Sequence, residues 1–278
     1  MRNRAFWIPA GTRGAKRFPS SLLPAVLVAS ALIVSAPRLG GARPSRTARE
    51  NSARLPRIVL WAWDEPEDLS YVNSREVGIA FLAETLYLRA DGVGVRPRFD
   101  LLRLPPTPKL IAVARVECDS PELALLSAGE SRQAAAAIAR LDRVPGIVGI
   151  QVDFDALNSQ RDFYRELLRD LRKDIPPSLS LSITALASWC MGDRWLANLP
   201  IQEAVPMLFQ MGPDAESILL HLNEGGDFSG GVCRQSLGIA TNERNWRLPK
   251  GRRLYFFHPA PWTPKTVKHA LNEAKRWD

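Results

Sequence analysis

The chain has little with which to hold a metal or staple a small fold. It contains three cysteines and three histidines. Cys118, Cys190 and Cys233 include no Cys-x-x-Cys pair, and His221, His258 and His269 stand in separate segments without a His-Glu-x-x-His. Such a set supports neither a zinc site nor a disulfide framework. One disulfide plus one thiol fits the count, and so do three reduced cysteines. No Gly-x-Gly-x-x-Gly or Walker-type loop follows an apolar strand pattern, which argues against nucleotide binding. No Gly-x-Ser-x-Gly elbow supports a serine nucleophile. The reading therefore calls for no metal and no cofactor.

Acids are scarce at the start of the chain. Residues 1–53 hold nine of the 37 Lys and Arg but one of the 29 Asp and Glu. The other 225 residues carry 28 of each, so the net charge of +8 belongs to the leader. A folded region with balanced charge lacks the footprint of a nucleic-acid binder. The leader itself has the anatomy of a targeting segment. Arg2, Arg4, Arg13, Lys16 and Arg17 precede an apolar run from Leu22 to Val34, broken by Pro24 and Ser30. Val34-Ser35-Ala36 offers the small residues of a cleavage site. Thirteen helical residues cover about 20 Å, short of a bilayer core of about 30 Å. Residues 1–36 are thus expected to be a signal peptide or an N-terminal membrane anchor, residues 37–53 a flexible linker, and residues 54–278 the folded domain. Any membrane contact is expected only through the N-terminal segment, which implies an exported protein, periplasmic or extracellular.

Beyond the linker, strand-like and helix-like patterns alternate. The strands read as Arg57–Trp63, Gly78–Leu88, Lys109–Glu117, Gly146–Asp155, Ser178–Leu186, Glu203–Gln210, Arg234–Ala240 and Arg253–His258. Asp91-Gly92 is a hairpin signal after the second strand. Helical spacing appears at Ser127–Leu141, Arg161–Leu171, Asp193–Leu199, Asp214–Leu222 and Thr263–Trp277. Eight strands, most followed by a helix, predict an α/β fold of the (β/α)8 TIM-like barrel type, with weak or missing helices after strands one, two and seven. An open doubly wound sheet is the alternative.

The fourth strand carries the strongest chemical signal. Its apolar run ends in Asp153 and Asp155, spaced i, i+2 and hence on one face. Two acids there are costly unless water, substrate or a partner meets them. The C-terminal ends of barrel strands are where active sites lie. Other strand ends contribute Trp61 and Trp63, Asp64 and Glu65, Arg115 and Glu117, Gln151, Trp189, Phe209 and Gln210, His258 and Trp262. Acids framed by tryptophans suit a sugar: aromatic faces stack on pyranose rings, and paired carboxyls supply a proton donor beside a negative charge. The plainer reading makes Trp61 and Trp63 barrel core, pairs Glu117 with Arg115, and leaves His258 structural. It disperses Trp61, Trp63, Trp189 and Trp262 in the core, whereas a sugar site gathers them at one mouth. Glu84, inside strand two, fits neither scheme.

Gly149-Ile-Gln-Val-Asp-Phe-Asp155 resembles the fourth-strand signature of chitinase-type glycoside hydrolases, Asp-x-Asp-x-Glu. Met207-Leu-Phe-Gln210 is similar to their sixth-strand Met-x-Tyr-Asp. The region from about residue 55 onward also resembles a bacterial domain family of unknown function with a glycosidase-like barrel. The resemblance implies Asp155 as proton donor and Asp153 as the group orienting a substrate acetamido nucleophile. It also implies Phe209 and Gln210 beside the sugar, and Trp262 as its floor. Gln151 replaces the first acid, Asp155 the donor Glu, Phe209 the Tyr and Gln210 the Asp. The expected activity is glycosidic cleavage of a cell-envelope or extracellular polysaccharide or oligosaccharide. The alternatives are a non-catalytic carbohydrate-binding barrel and a structural envelope protein.

Overall fold

The computed structural model describes residues 55–89, 91–118, 127–243 and 247–277. The expected leader and linker lie outside them. The strands are β1 (Ile58–Ala62), β2 (Glu67–Asp68), β3 (Val77–Arg89), β4 (Gly92–Pro97), β5 (Leu102–Arg103), β6 (Leu110–Cys118), β7 (Ile147–Asp153), β8 (Ser180–Leu186), β9 (Glu203–Met207), β10 (Ser236–Ala240) and β11 (Arg253–Phe257). The helices are α1 (Ala128–Ala139), α2 (Arg161–Asp174), α3 (Ala215–Asn223) and α4 (Pro264–Ala274).

Eight parallel strands close on themselves in the order β1, β11, β10, β9, β8, β7, β6, β3, with β3 returning to pair with β1. Closure excludes the open doubly wound sheet. β3 is 13 residues long because it serves two partners along one edge. Its first part pairs with β1, and from Glu84 to Arg89 it pairs antiparallel with β4. The hairpin signal at Asp91-Gly92 thus marks an extension beyond the barrel. β2 and β5 form a separate two-residue ladder.

Among the described residues only β6, β7, β9 and β11 are followed by α-helices. The helix after β8 expected at Asp193–Leu199 is instead a series of turns. Two tertiary ties hold that segment. Trp189 and Trp195 pack edge to face with ring centroids 4.8 Å apart, and Cys190 is bridged to Cys233. Cys118 lies outside the bridge, half-buried at the end of β6.

Local chemistry explains the helices that do form. Ser127 caps α1, accepting from the Glu130 amide at 3.2 Å while the Glu130 carboxylate accepts from Ser127 N at 2.7 Å. This reciprocal box satisfies two orphan donors. α2 buries Phe163, Tyr164, Leu167, Leu168 and Leu171 along one face and ends before Pro176-Pro177, where proline disfavours further helix. Pro264 opens α4 behind the Thr263 cap.

Two cores result. Outward-facing strand residues, among them Leu60, Ile79, Val152, Ile183 and Phe256, pack against the helices. Inward-facing Val59, Trp61, Ala80, Ile111, Val113, Val205 and Tyr255 fill the barrel. Trp61 fits because Gly238 opposite has no side chain; a Cβ there would lie 2.9 Å from the indole. The rest of the interior is polar. Gln151, Ser180, Ser182, Thr184, Glu203 and Ser236 are all buried. At the base, Glu203 accepts from the Tyr255 hydroxyl at 2.6 Å and from the Arg253 guanidinium.

Glu84 is 8% exposed and its Oε1 has no hydrogen-bond partner. Burial pushes its carboxyl up to about 7, against a smaller opposing pull from Arg140.

Two consequences for stability can be measured. The Cys190–Cys233 bridge closes a loop of 43 residues, so the Cys190→Ser/Cys233→Ser variant should unfold with about 2–4 kcal/mol less stability. An unchanged denaturation midpoint would show that the bridge restrains nothing. For Glu84 the folded pKa lies above the unfolded value, so its stabilising contribution is full below about pH 4.5 and is lost as pH rises through about 7. Glu84→Gln should therefore match the wild type near the acid end and exceed it at pH 8, by up to about 3 kcal/mol. Parallel stability profiles for the two proteins would rule this out.

Candidate functional site

The candidate site is built on β7. Alternation sends Ile150, Val152 and Phe154 outward into the helix-backed core and Gln151 and Asp153 inward. Phe154 packs edge to face on Phe163 and Tyr164, at 6.4 and 5.2 Å. The Tyr164 hydroxyl donates to the Val152 carbonyl at 3.3 Å. α2 thereby holds the outer face of β7 while its inner face carries the acids.

Height inside the barrel separates the roles of these in-phase residues. Gln151 lies deep, fully buried, accepting from the Trp61 indole at 2.8 Å and facing the Ser182 hydroxyl at 3.4 Å. It is a floor, not a group at the mouth. Asp153, one step higher, is half-buried and accepts from the Thr184 hydroxyl at 2.6 Å. Arg115 is its register partner on β6. Asp155 follows the end of the strand and is exposed.

Both carboxyls are held above the ordinary carboxylate range. Burial dominates for Asp153, countered by the Thr184 hydrogen bond and by Arg115. Asp155 is pushed up to about 6, first by desolvation at the crowded mouth, then by the Asp153 charge. Its exposed edge admits water, which screens the effect and limits its size. Arg115 pulls the other way but is shared, since its Nε meets the Glu117 carboxylate at 2.9 Å. Glu117 is thus the partner of Arg115, as its phase suggested.

The tryptophans do not gather. Trp61 is 3% exposed inside the barrel, Trp189 is 5% exposed against Trp195, and Trp262 is 4% exposed. Trp262 donates its indole N–H to the Trp61 carbonyl at 2.8 Å, and its backbone N–H to Glu67 at 2.9 Å. It braces the end of β1 and leaves no open ring face to serve as a sugar floor. Only Trp63 reaches the rim, half-buried, with the Arg115 guanidinium 5.9 Å from its ring. The aromatic surface at the mouth comes from other residues. Phe209 and Phe257, both half-buried, stack at 5.3 Å with planes 7° apart. Gln210 is exposed beside them with a φ of 50°.

His258 is half-buried; its Nδ1 lies 2.5 Å from the Thr241 hydroxyl, and its ring is 5.2 Å from that of Trp262. Burial, then His269, lowers its pKa, favouring the neutral imidazole. Among the described residues no group of three or more His, Cys, Asp or Glu is arranged to hold a metal ion.

Thr184 and Phe257 were not singled out in the sequence. Thr184 had a signal: Ser180, Ser182 and Thr184 alternate along β8, a polar face in what should be a continuously apolar barrel strand. Phe257 had none, because a phenylalanine in a barrel strand normally reads as core.

No curated protein matches the chain. The profile of a family described as a domain of unknown function (DUF3142) matches residues 106–204. That stretch runs from before β6 to the first residues of β9, and so includes Arg115, Glu117, Asp153, Asp155 and Thr184.

Proposed function

We propose that the barrel is a reduced (β/α)8 fold, in an exported protein, and that its mouth cleaves glycosidic bonds in an envelope or extracellular polysaccharide by acid assistance. One observation carries the reading. An exposed carboxyl, Asp155, is raised to about 6 beside a second, half-buried carboxyl at the open end of a parallel barrel. In the proposed step Asp155 donates its proton to the glycosidic oxygen as the bond from that oxygen to the anomeric carbon breaks. Asp153, fixed by Thr184, faces the positive charge that develops on the sugar ring. The substrate's own acetamido oxygen, oriented by Asp153, would attack the anomeric carbon. Water then completes hydrolysis and returns a proton to Asp155. Trp63, Phe209 and Phe257 would supply the apolar surface for the ring. The Cys190–Cys233 bridge supports the export reading, because disulfides persist in oxidising compartments.

A second reading draws on Gln151. The first acid position of the resembled signature is here an amide locked to Trp61, which leaves two carboxyls on the strand where that signature has three. A site reduced in this way suits a carbohydrate binder that does not cleave.

The readings separate in one experiment on the secreted or released domain, using chitin-like and bacterial-envelope polysaccharides. Reducing-end release should be greatest below pH 6 and fall as Asp155 loses its proton above it. Asp155→Asn should lower turnover by about 100-fold or more while binding persists. Binding without turnover in either protein would leave the binder. Absence of both would leave a structural role, consistent with the dispersed tryptophans.

A further inference from the structure

A polar crevice lies where the barrel seam changes partner. β1 ends at Ala62 and β4 takes over the edge of β3 from Glu84. A shallow crevice of about 30 Å³ opens at this junction, lined by Asp64, Glu84, Thr85, Arg96, Arg98 and Phe99 among others. Arg98 is spent on backbone carbonyls, donating to Trp63 and Glu65, and to Asp100 at 3.0 Å. Arg96 is not spent. It meets Asp64 at 3.8 Å with both side chains about two-fifths exposed, a loose pair with hydrogen-bonding capacity to spare. Glu84, more than nine-tenths buried, brings a carboxyl whose Oε1 has no partner. Phe99 is 82% exposed, far more than any other large apolar residue described as exposed. Thr85 is the register neighbour of Arg115, so the crevice adjoins the carboxylate mouth across a single strand.

We infer that this seam is a second glycan subsite, in which a neutral sugar unit lies on Phe99 and its hydroxyls engage Asp64 and Arg96. The chemistry selects the ligand class. An exposed ring matches the C–H face of a pyranose. A carboxylate beside a guanidinium accepts from one hydroxyl and donates to the next. The balanced pair disfavours a strongly charged ligand of either sign. The inference rests on the reading of the mouth as a glycan site and extends it: the bound chain spans both places, so longer chains bind better than short ones.

The test measures binding of chito-oligosaccharides by calorimetry, comparing a disaccharide with a hexasaccharide, in the wild type, Phe99→Ala and Asp64→Ala. Both substitutions are at exposed positions, and unchanged melting temperatures would confirm intact folding. The hexasaccharide should bind the wild type more tightly, and each variant should lose roughly three- to tenfold of that affinity while the disaccharide is unaffected. Equal affinity for both lengths, or variants that bind the hexasaccharide like the wild type, would overturn the subsite and leave the mouth intact. A wild type that binds neither length would overturn both. Self-association of the wild type that vanishes in Phe99→Ala, with glycan binding unaltered, would reassign the ring to a protein contact and end the proposal.

Discussion

The hydrogen bond from the Trp61 indole to Gln151 crosses the barrel between β1 and β7, and the site depends on it. Trp61 blocks the middle of the barrel, packing on Tyr255 at 5.1 Å and meeting Phe209 at 6.2 Å. Its N–H and the Gln151 carbonyl are both buried, and either left alone would cost about 1–3 kcal/mol. Together they form a sealed floor. Above it the next in-phase residue of β7 is Asp153. The depth of the carboxylate in the mouth is thus set by an indole on another strand. Gly238 completes the arrangement, since any side chain there would compete with Trp61 for space.

The base and the mouth use charge in opposite ways. At the base, Glu203 is fully buried and satisfied by Tyr255 and Arg253. A buried ion pair with complete hydrogen bonding is costly to break but contributes little net stability. At the mouth, Asp153 and Asp155 share one arginine, and that arginine is already engaged by Glu117. Desolvation, which that arginine only partly offsets, is what raises both carboxyls.

Much of the scaffold was legible in the sequence, because parallel strands announce themselves as apolar runs between turn signals. The strand count, the Asp91-Gly92 hairpin and the lack of helices after β1, β3 and β10 among the described residues all follow from local patterns. Pro206 lies inside β9, yet the strand forms; its ladder to β10 is reduced to the single pair Gly238–Met207, as a strand short of a donor requires. The turns of 193–199 were not legible, since the aromatic pair and the disulfide that hold them join distant residues. The site was legible in part. Spacing places Asp153 and Asp155 on one face, but period-two alternation tells inside from outside and says nothing of height. Gln151, Trp61 and Trp63 are therefore alike in sequence and unlike in place. Trp262 was misplaced for a related reason: its burial depends on Glu67 and the Trp61 carbonyl, contacts across 195 and 201 residues.

The match to residues 106–204 divides the molecule along the same line as the proposed chemistry. It covers β6, β7, β8 and the helices α1 and α2 that back them, the part that fixes both aspartates, Arg115 and Thr184. Trp63, the β3–β4 hairpin, Phe99 and Phe257 all lie outside it. On the proposed reading, proton transfer belongs to the matched segment, and contact with the length of a chain belongs to the flanking strands. Their physical demands differ accordingly. A carboxyl must be held to a fraction of an ångström, which the doubly packed strand β7 provides. A stacking surface tolerates displacement along the ring face, so it can be carried by a hairpin with solvent on one side. A barrel closed by pairing β1 to both β3 and β11 lets the second kind of surface vary without disturbing the first.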